Sequence, residues 1–256
     1  MQYFAGIFDA EGTLSLHRNG AFPISLEMAN EQIPKMFQET FQGSIYTRKR
    51  KDRKQTWAWK INSINSQAIH FIESILPFSI AKHRQLWILL VYLKKSRDER
   101  RIFRERAAAS IRAYKTPYYP FRPSCSQPSI VPDSGFYQWL AGLIDGDGNF
   151  VCNRYVDNRN KRKYFGHQLS VSSIDPMVIE HIESRLPGTV TQCERTHNML
   201  YKWTCKRLAE QSLCEAILPF LRVKEKQCIL YMQFLQRMDD VRRYEIINEI
   251  KHLNSL

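Results

Sequence analysis

The chain has 256 residues, 43% hydrophobic, with 38 Lys and Arg against 25 Asp and Glu, a formal charge of +13 and a pI near 9.5. That length supports one large domain or two small ones with real cores. The charge points to a polyanionic partner, most simply nucleic acid, against the plainer reading of a basic protein with none. The longest apolar run, Leu86 to Leu93, is too short to span a bilayer, and Asp9 and Glu11 interrupt the only apolar stretch near the N-terminus, so neither a membrane span nor a signal peptide is expected. The cysteines at 125, 152, 193, 205, 214 and 228 are scattered, with no C-x-x-C and no paired histidine spacing, which favours a reduced intracellular protein without structural zinc.

Residues Phe4 to Gly12 form a short apolar helix signal that ends in acid, with Gly6 and Ala10 one turn apart. Alternation follows: Leu14 and Leu16 against Ser15, His17 and Asn19, a turn at Gly20, then Ile24, Leu26 and Met28 against Ser25 and Glu27. This reads as a hairpin with one wet face. Residues 31–42 read as a helix with Ile33, Met36, Phe37 and Phe41 on one side. A second hairpin is expected from about 44 to 62, its turn made by the basic run from Arg48 to Lys54. Helical signals resume at 64–76, break at Pro77 and continue from about 80. The charged, Ala-rich stretch from Arg97 to Arg112 reads as a solvated helix or as part of a binding surface.

Thr116 to Pro132 holds five of the eleven prolines and reads as a semi-rigid linker. The order then repeats. A helix at 135–146 follows a cap at Asp133 or Ser134. Strands are expected near 149–156 and 164–173 around the basic turn Arg159 to Lys163, then a helix over 175–186 capped by Asp175 with Pro176 at its first position. Strands near 189–195 and 199–205 precede helices near 207–217, 221–238 and 240–253.

The halves match residue by residue. Leu140 to Gly148 repeats the Phe4 to Gly12 pattern, with Gly142 and Gly146 as its small residues, and the terminal acids Glu11 and Asp147 stand 136 residues apart. Leu, Pro, Phe, Lys and Gln recur in register in Leu76 to Gln85 and Leu218 to Gln227, Gly43 aligns with Gly188, and Trp59 aligns with Trp203. The expected domains are a first repeat at 1–115, the linker at 116–132 and a second repeat at 133–256.

Small residues one turn apart let two helix backbones approach closely. That would bring Glu11 and Asp147 side by side, where two carboxylates repel unless a cation lies between them. A divalent ion with carboxylate, carbonyl and water ligands resolves the conflict, and Mg²⁺ suits such a site. Beside a phosphodiester, paired metal sites activate water and stabilise the leaving oxygen. Lys82 and Lys224 are the matched lysines that could orient that water or neutralise charge, against the reading of ordinary surface lysines. Asp9 and Asp145, two residues before the terminal acids, read as groups that cap or orient backbone near the helix ends, against the alternative of a direct metal role. An EF-hand reading of Asp145, Asp147 and Asn149 fails, because Phe150 and Val156 stand where Gly and Glu are needed.

A twisted antiparallel ribbon fits the major groove, and mixed donors and acceptors on its wet face are what sequence readout needs. Alternation nominates Ser15, His17, Asn19, Ser25, Glu27, Tyr46 and Arg48 in the first half, and Val151, Asn153, Tyr155, Gln168, Ser170, Ser172, Thr189 and Thr191 in the second. The basic turns, with Lys49, Arg50, Lys51, Arg53 and Lys54 in one and Arg159, Lys161, Arg162 and Lys163 in the other, would contact phosphates. For any single position, plain solvent exposure remains the alternative.

The paired motifs resemble the LAGLIDADG homing endonucleases in their single-chain, two-repeat form. Leu140 to Gly148 departs from the nine-letter motif only at Gly146, and Phe4 to Gly12 keeps Ala5, Gly6, Asp9, Ala10 and Gly12. The resemblance implies an α+β fold of two pseudo-symmetric αββαββα subdomains whose β-ribbons form a DNA-binding saddle. It implies that Glu11 and Asp147 bind Mg²⁺, two or three divalent ions being shared between them, with the carbonyls of Ala10 and Gly146 completing the coordination. It places Lys82 and Lys224 at the active-site lysines. The implied reaction is hydrolysis of both strands across the minor groove of a long asymmetric duplex target, leaving short 3′ overhangs. Two departures stand out. Met28 and Ser173 occupy or neighbour the place of a water-positioning Gln, and Glu11 replaces the commoner Asp, so the strands could be cut at unequal rates.

The leading expectation is an intron-encoded endonuclease acting as a monomer, since both acids lie in one chain. The alternatives are an RNA-binding maturase acting on its own intron RNA and a non-cleaving DNA-binding regulator on the same fold. The seven histidines form no HNH cluster and there is no GIY…YIG pair. An intracellular setting is expected, organelle-encoded in a chloroplast or mitochondrion or in a prokaryotic cytoplasm.

Overall fold

The computed structural model describes residues 1–49, 54–61, 66–115, 128–157, 159, 162–194, 198–236 and 238–255. The first half runs α1 (Gln2–Glu11), β1 (Gly12–Leu14), β2 (Ile24–Met28), α2 (Gln32–Phe41), β3 (Ser44–Arg48), β4 (Thr56–Ile61) and α3 (Ser66–Ile75), followed by α4 (His83–Lys94) and α5 (Arg97–Ala113). The second half repeats it with α6 (Ser134–Asp147), β5 (Gly148–Val156), β6 (Lys163–Ser173), α7 (Pro176–Glu183), β7 (Gly188–Glu194), β8 (Met199–Cys205) and α8 (Glu210–Ile217), followed by α9 (Glu225–Leu235) and α10 (Asp240–Ser255). Each half holds a four-stranded antiparallel sheet, in the orders β1-β2-β4-β3 and β5-β6-β8-β7. The expected α+β class and the doubled αββαββα order are therefore present.

Pleat parity sets the faces. On the inner face of the first sheet Leu14, Ile24, Leu26, Trp59 and Ile61 are buried, and Phe8, Phe37, Phe41 and Phe71 close over them from the helices. In the second half Phe150, Leu169, Val171 and Trp203 play that part. The aligned glycines and tryptophans prove to be one device used twice. A β-carbon on Gly43 would lie 2.9 Å from the Trp59 indole nitrogen, and one on Gly188 would lie 1.9 Å from that of Trp203. Only a residue without a side chain leaves room for either ring.

Helix starts differ from the pattern in two places for one reason. The helix expected from about 80 begins at His83, and the one expected from 221 begins at Glu225. In each case a carboxylate from a motif helix takes the preceding backbone N–H groups, holding the chain out of helical form (described below). The stretch expected as a helix over 207–217 opens with a 3-10 turn, Arg207–Ala209, and a second such turn, Leu218–Phe220, carries the repeated Leu-Pro-Phe. As expected, Asp175 caps α7, accepting from the Met177 N–H at 2.9 Å, with Pro176 at the first position. The linker expected at 116–132 falls mostly outside the described residues. No helix among the described residues is long and apolar enough to cross a membrane.

Candidate active site and nucleic-acid interface

The two halves meet through α1 and α6. A β-carbon on Gly6 would fall 1.9 Å from the carbonyl oxygen of Trp139, and one on Gly142 would fall 2.2 Å from that of Tyr3. Backbone lies on backbone. One turn later a β-carbon on Gly146 would stand 2.4 Å from the Ala10 β-carbon and 3.2 Å from Glu11 Cγ, so the C-terminal ends run side by side. Both helices leave directly into strands at Gly12 and Gly148, which sets Glu11 and Asp147 between the sheets.

Asp9 and Asp145 turn inward and are buried. Asp9 accepts from Ser79 Oγ at 2.5 Å, from the Ile80 N–H at 2.7 Å and from the Lys82 N–H at 3.2 Å. Asp145 accepts from the Arg222 and Lys224 N–H groups, both at 2.8 Å. Each also accepts from an aromatic side chain of the opposite half: Asp9 from Trp139 Nε1 at 3.0 Å, and Asp145 from the Tyr3 hydroxyl at 2.7 Å. Burial and the Asp145 charge push the Tyr3 hydroxyl far above the usual phenol range. The first acid of each motif thus holds the segment that delivers a lysine, in agreement with the orienting role expected of it.

Those lysines reach the ends of the motif helices. Lys82 Nζ donates to the Asp9 carbonyl at 2.5 Å. Lys224 Nζ donates to the carbonyls of Ile144, Gly146 and Gly148 at 2.8, 3.0 and 2.7 Å. An ammonium has three protons to donate. Lys224 spends all three on backbone, whereas among the described residues Lys82 has a single hydrogen-bond acceptor. The helix C-terminus, with its negative dipole end, is where a cation is stabilised. Loss of solvation nevertheless holds both amines below the usual lysine range, opposed by Asp9 and Asp145 respectively and by the nearby acids Asp147 and Glu11.

The terminal acids move the other way. Glu11 is raised by loss of solvation and then by the Asp147 charge, against the pull of Lys224 and Lys82. Asp147 keeps solvent access at the mouth of the site, yet the surrounding protein removes enough water to raise it too, against the same two lysines. Two desolvated carboxylates at adjoining helix ends, the charge of Asp147 opposing the ionisation of Glu11, form an oxygen donor set suited to a hard divalent cation. Among the described residues no three His, Cys, Asp or Glu side chains converge as metal ligands, so any ion here would draw its remaining ligands from backbone and water. Of the two carbonyls expected to help, that of Gly146 already accepts from Lys224 but keeps a second lone pair.

A cavity of about 380 Å³ opens beside Asp147, lined by Asp9, Ala10, Lys82, Lys115, Ser172 and Asp175 among others. Sequence reasoning missed Asp175 and Lys115 here, because a helix cap and the end of a charged helix carry no local sign of facing a site in the other half. Burial pushes the Asp175 carboxyl up to about 6. Neither Met28 nor Ser173 supplies an amide at the end of its strand: Met28 is buried, and Ser173 Oγ accepts from the Asp175 N–H at 3.0 Å.

The sheet faces turned away from the helices carry most of the expected ribbon residues. His17, Asn19, Tyr46, Arg48, Lys49, Lys54, Tyr155, Arg159, Arg162, Lys163, Thr189 and Thr191 are exposed, while Ser15, Ser25, Glu27, Val151, Asn153, Gln168 and Ser172 are half-buried. Glu27 is engaged, accepting from Arg48 Nη1 and from Thr56 Oγ1, both at 2.7 Å, so it presents Arg48 more than itself. Gln168 accepts from Lys202 Nζ at 2.9 Å and donates to Thr204 Oγ1 at 3.3 Å. Ser170 corrects the expectation: on the outward face between Asn149 and Thr204 in register, it is nevertheless only 2% exposed. Arg50, Lys51, Arg53 and Lys161 lie outside the described residues.

The same faces carry residues that the alternation did not nominate. Register puts Lys60 opposite Ser25 and Lys202 opposite Ser172, on the outward face of β4 and β8. The buried Trp59 and Trp203 fix that parity and were the available signal.

No protein-family model and no curated protein matches the sequence. Solved structures do. The chain superposes on I-SmaMI bound to an uncleaved DNA target in the presence of calcium ions with a TM-score of 0.66 and 17% identity, covering 99% of this chain and 97% of that one. It superposes on the LAGLIDADG homing endonuclease I-GzeII in complex with its DNA target with a TM-score of 0.65 and 16% identity, over 98% and 96% of the two chains. For the LAGLIDADG meganuclease I-AabMI bound to uncleaved DNA the values are 0.66 and 12%, over 100% and 98%. Identity this low carries architecture alone, but the architecture is shared from end to end through both halves: this chain has the fold of the LAGLIDADG homing endonucleases.

Proposed function

We propose that this chain is a site-specific endonuclease that hydrolyses one phosphodiester on each strand of a long, asymmetric DNA duplex. The observation that carries the reading is the placement of Glu11 and Asp147, one from each half, at the ends of two helices in backbone contact and within the field of both Lys82 and Lys224. The DNA-bound state of the structural neighbours I-SmaMI and I-GzeII supports it.

Each part of the chain has work in this scheme. The outward sheet faces, with Arg48, Lys60 and Lys202 among their donors, hold the duplex by phosphate and base edge. Glu11 and Asp147 would hold a divalent cation, for which Mg²⁺ is the proposed ion. When bound, such an ion makes water a better nucleophile and stabilises charge on phosphoryl oxygen. Lys82, with donors to spare toward the cavity, neutralises charge that develops on the phosphate. Lys224, spent on three carbonyls, fixes the end of α6 and so the position of Asp147. Cutting across the minor groove with short 3′ overhangs, action as a monomer, coding within an intron and an intracellular, organellar or prokaryotic setting belong to the same reading. They are supported by the resemblance of the two motifs and, for the monomer, by both acids standing in one chain.

The test is cleavage of a randomised duplex library with Mg²⁺ by the wild type, Glu11→Gln and Asp147→Asn. One long site cut by the wild type and by neither variant is the expected result. Selection of a duplex without cutting would assign the chain to the regulators, and neither selection nor cutting would turn attention to intron RNA.

A further inference from the structure

The outer helices of the two halves differ in a way that the shared saddle does not require. Residues 83–113, which span α4 and α5, carry nine Lys and Arg against three Asp and Glu, whereas the corresponding 225–255, spanning α9 and α10, carry five of each. A duplex lying across both sheets gives no reason to charge one outer helix pair and neutralise the other. Arg97, Arg101, Arg106 and Arg112 are exposed and make no ion pair among the described residues.

The same surface is apolar where a solvated helix pair would be polar. Trp87 is 55% exposed, Ile102 74%, Phe103 39% and Val91 38%. Trp87, Val91 and Phe103 line a cavity of about 280 Å³ between α4 and α5, with Lys95 and Arg106 also in its wall. Lys95 Nζ stands 4.5 Å from the centre of the Phe103 ring, a cation held over an aromatic face. Flat rings beside cations match a chain of unpaired bases and phosphates, because stacking needs an open base face and the cations need a polyanion. A duplex hides its base faces and would leave Trp87 and Phe103 unused. An acidic peptide answers the charge but not the rings.

We propose that the outer face of α4 and α5 binds single-stranded nucleic acid, stacking unpaired bases on Trp87 and Phe103 and holding the adjoining phosphates with Lys95 and Arg106. This surface is separate from Glu11 and Asp147, so the inference stands or falls apart from the endonuclease reading.

The experiment is fluorescence anisotropy of labelled oligo-uridine, oligo-thymidine and a mixed-sequence duplex. The full chain is compared with Trp87→Ala, Phe103→Ala, Arg106→Ala and the saddle variant Lys60→Ala/Lys202→Ala, with unfolding midpoints taken to confirm that each is folded. Loss of one stacking ring is expected to weaken single-strand binding about tenfold. Arg106→Ala should reduce the slope of log affinity against log salt by about 0.7. The saddle variant should keep the single strand while losing duplex affinity. Preference for either oligo-uridine or oligo-thymidine supports the proposal equally. Single-strand binding unchanged in Trp87→Ala and Phe103→Ala, abolished in the saddle variant, or absent from the wild type overturns it.

Discussion

Glu11 shows how one side chain records what its neighbours lack. Its folded carboxyl is raised from the ordinary value by loss of solvation and by Asp147, so the native chain holds that proton to a higher pH than the unfolded chain does. The stability this contributes is present below the unfolded value of about 4.3 and is lost as the pH rises through the folded value. At neutral pH without metal, the ionised pair therefore works against folding. Glu11→Gln is expected to raise the unfolding midpoint of the chelator-treated protein at pH 7 and to give no such gain at pH 4. Urea titrations at the two pH values check it, and an equal or opposite effect at pH 7 would show that the two acids do not strain each other. The sequence displayed this pair openly, because two acids recur at the same place in two copies of one motif. It did not display Asp175 or Lys115, which reach the cavity from elements whose local pattern speaks only of a cap and a charged helix end.

At the scale of elements, the segments 79–82 and 222–224 are built alike but loaded differently. Both hang from an inward acid by backbone N–H groups, which is why helices expected from about 80 and 221 start at His83 and Glu225. Propensity could not reveal this, since the acid that interrupts each helix lies more than seventy residues earlier in the chain. The lysines that follow then diverge. Lys224 bonds three carbonyls at the end of α6, and Lys82 bonds one at the end of α1. Hydrogen bonds from a charged donor are worth roughly 1.5 kcal/mol or more each, so Lys224→Met should cost more stability than Lys82→Met, by about 3 kcal/mol. Cleavage should follow the reverse logic, with Lys82→Met losing rate at full fold. Denaturant midpoints and single-turnover cleavage measured on the same two variants separate the roles, and equal stability losses would show that the three carbonyl bonds are not worth what their number suggests. Seven of the eight strands were legible to within a residue or two because strict alternation has a single solution. The exception is β1, which stops at Leu14, so His17 and Asn19 lie in the loop beyond it, where Asn19 Oδ1 accepts from the Ala21 N–H instead of lying on the ribbon. Ser170 escaped because alternation assigns a face and says nothing about how exposed a given position on that face is.

Across the whole molecule, the contact of α1 with α6 makes two repeats into one core. Residues of both halves belong to a single buried cluster, so unfolding is expected to be one transition rather than two. Gly142→Ala would push a methyl to within 2.2 Å of the Tyr3 carbonyl oxygen, against backbone that cannot turn aside. A loss of about 3 kcal/mol is expected, felt equally by fluorescence from Trp59 in the first half and Trp203 in the second when each is the sole tryptophan kept of the five. Separate midpoints for the two probes would mean that the halves fold independently. The reciprocal bonds at this seam have a consequence for the exchange of halves. Asp9 takes its cross-seam hydrogen bond from Trp139, and Asp145 takes its own from Tyr3. Each copy therefore carries a lock for the other's key. A graft of one copy onto a relative's opposite copy will seat only if the incoming α1 or α6 brings an aromatic N–H or O–H to meet the resident acid. The two copies are thus complementary at the seam rather than interchangeable.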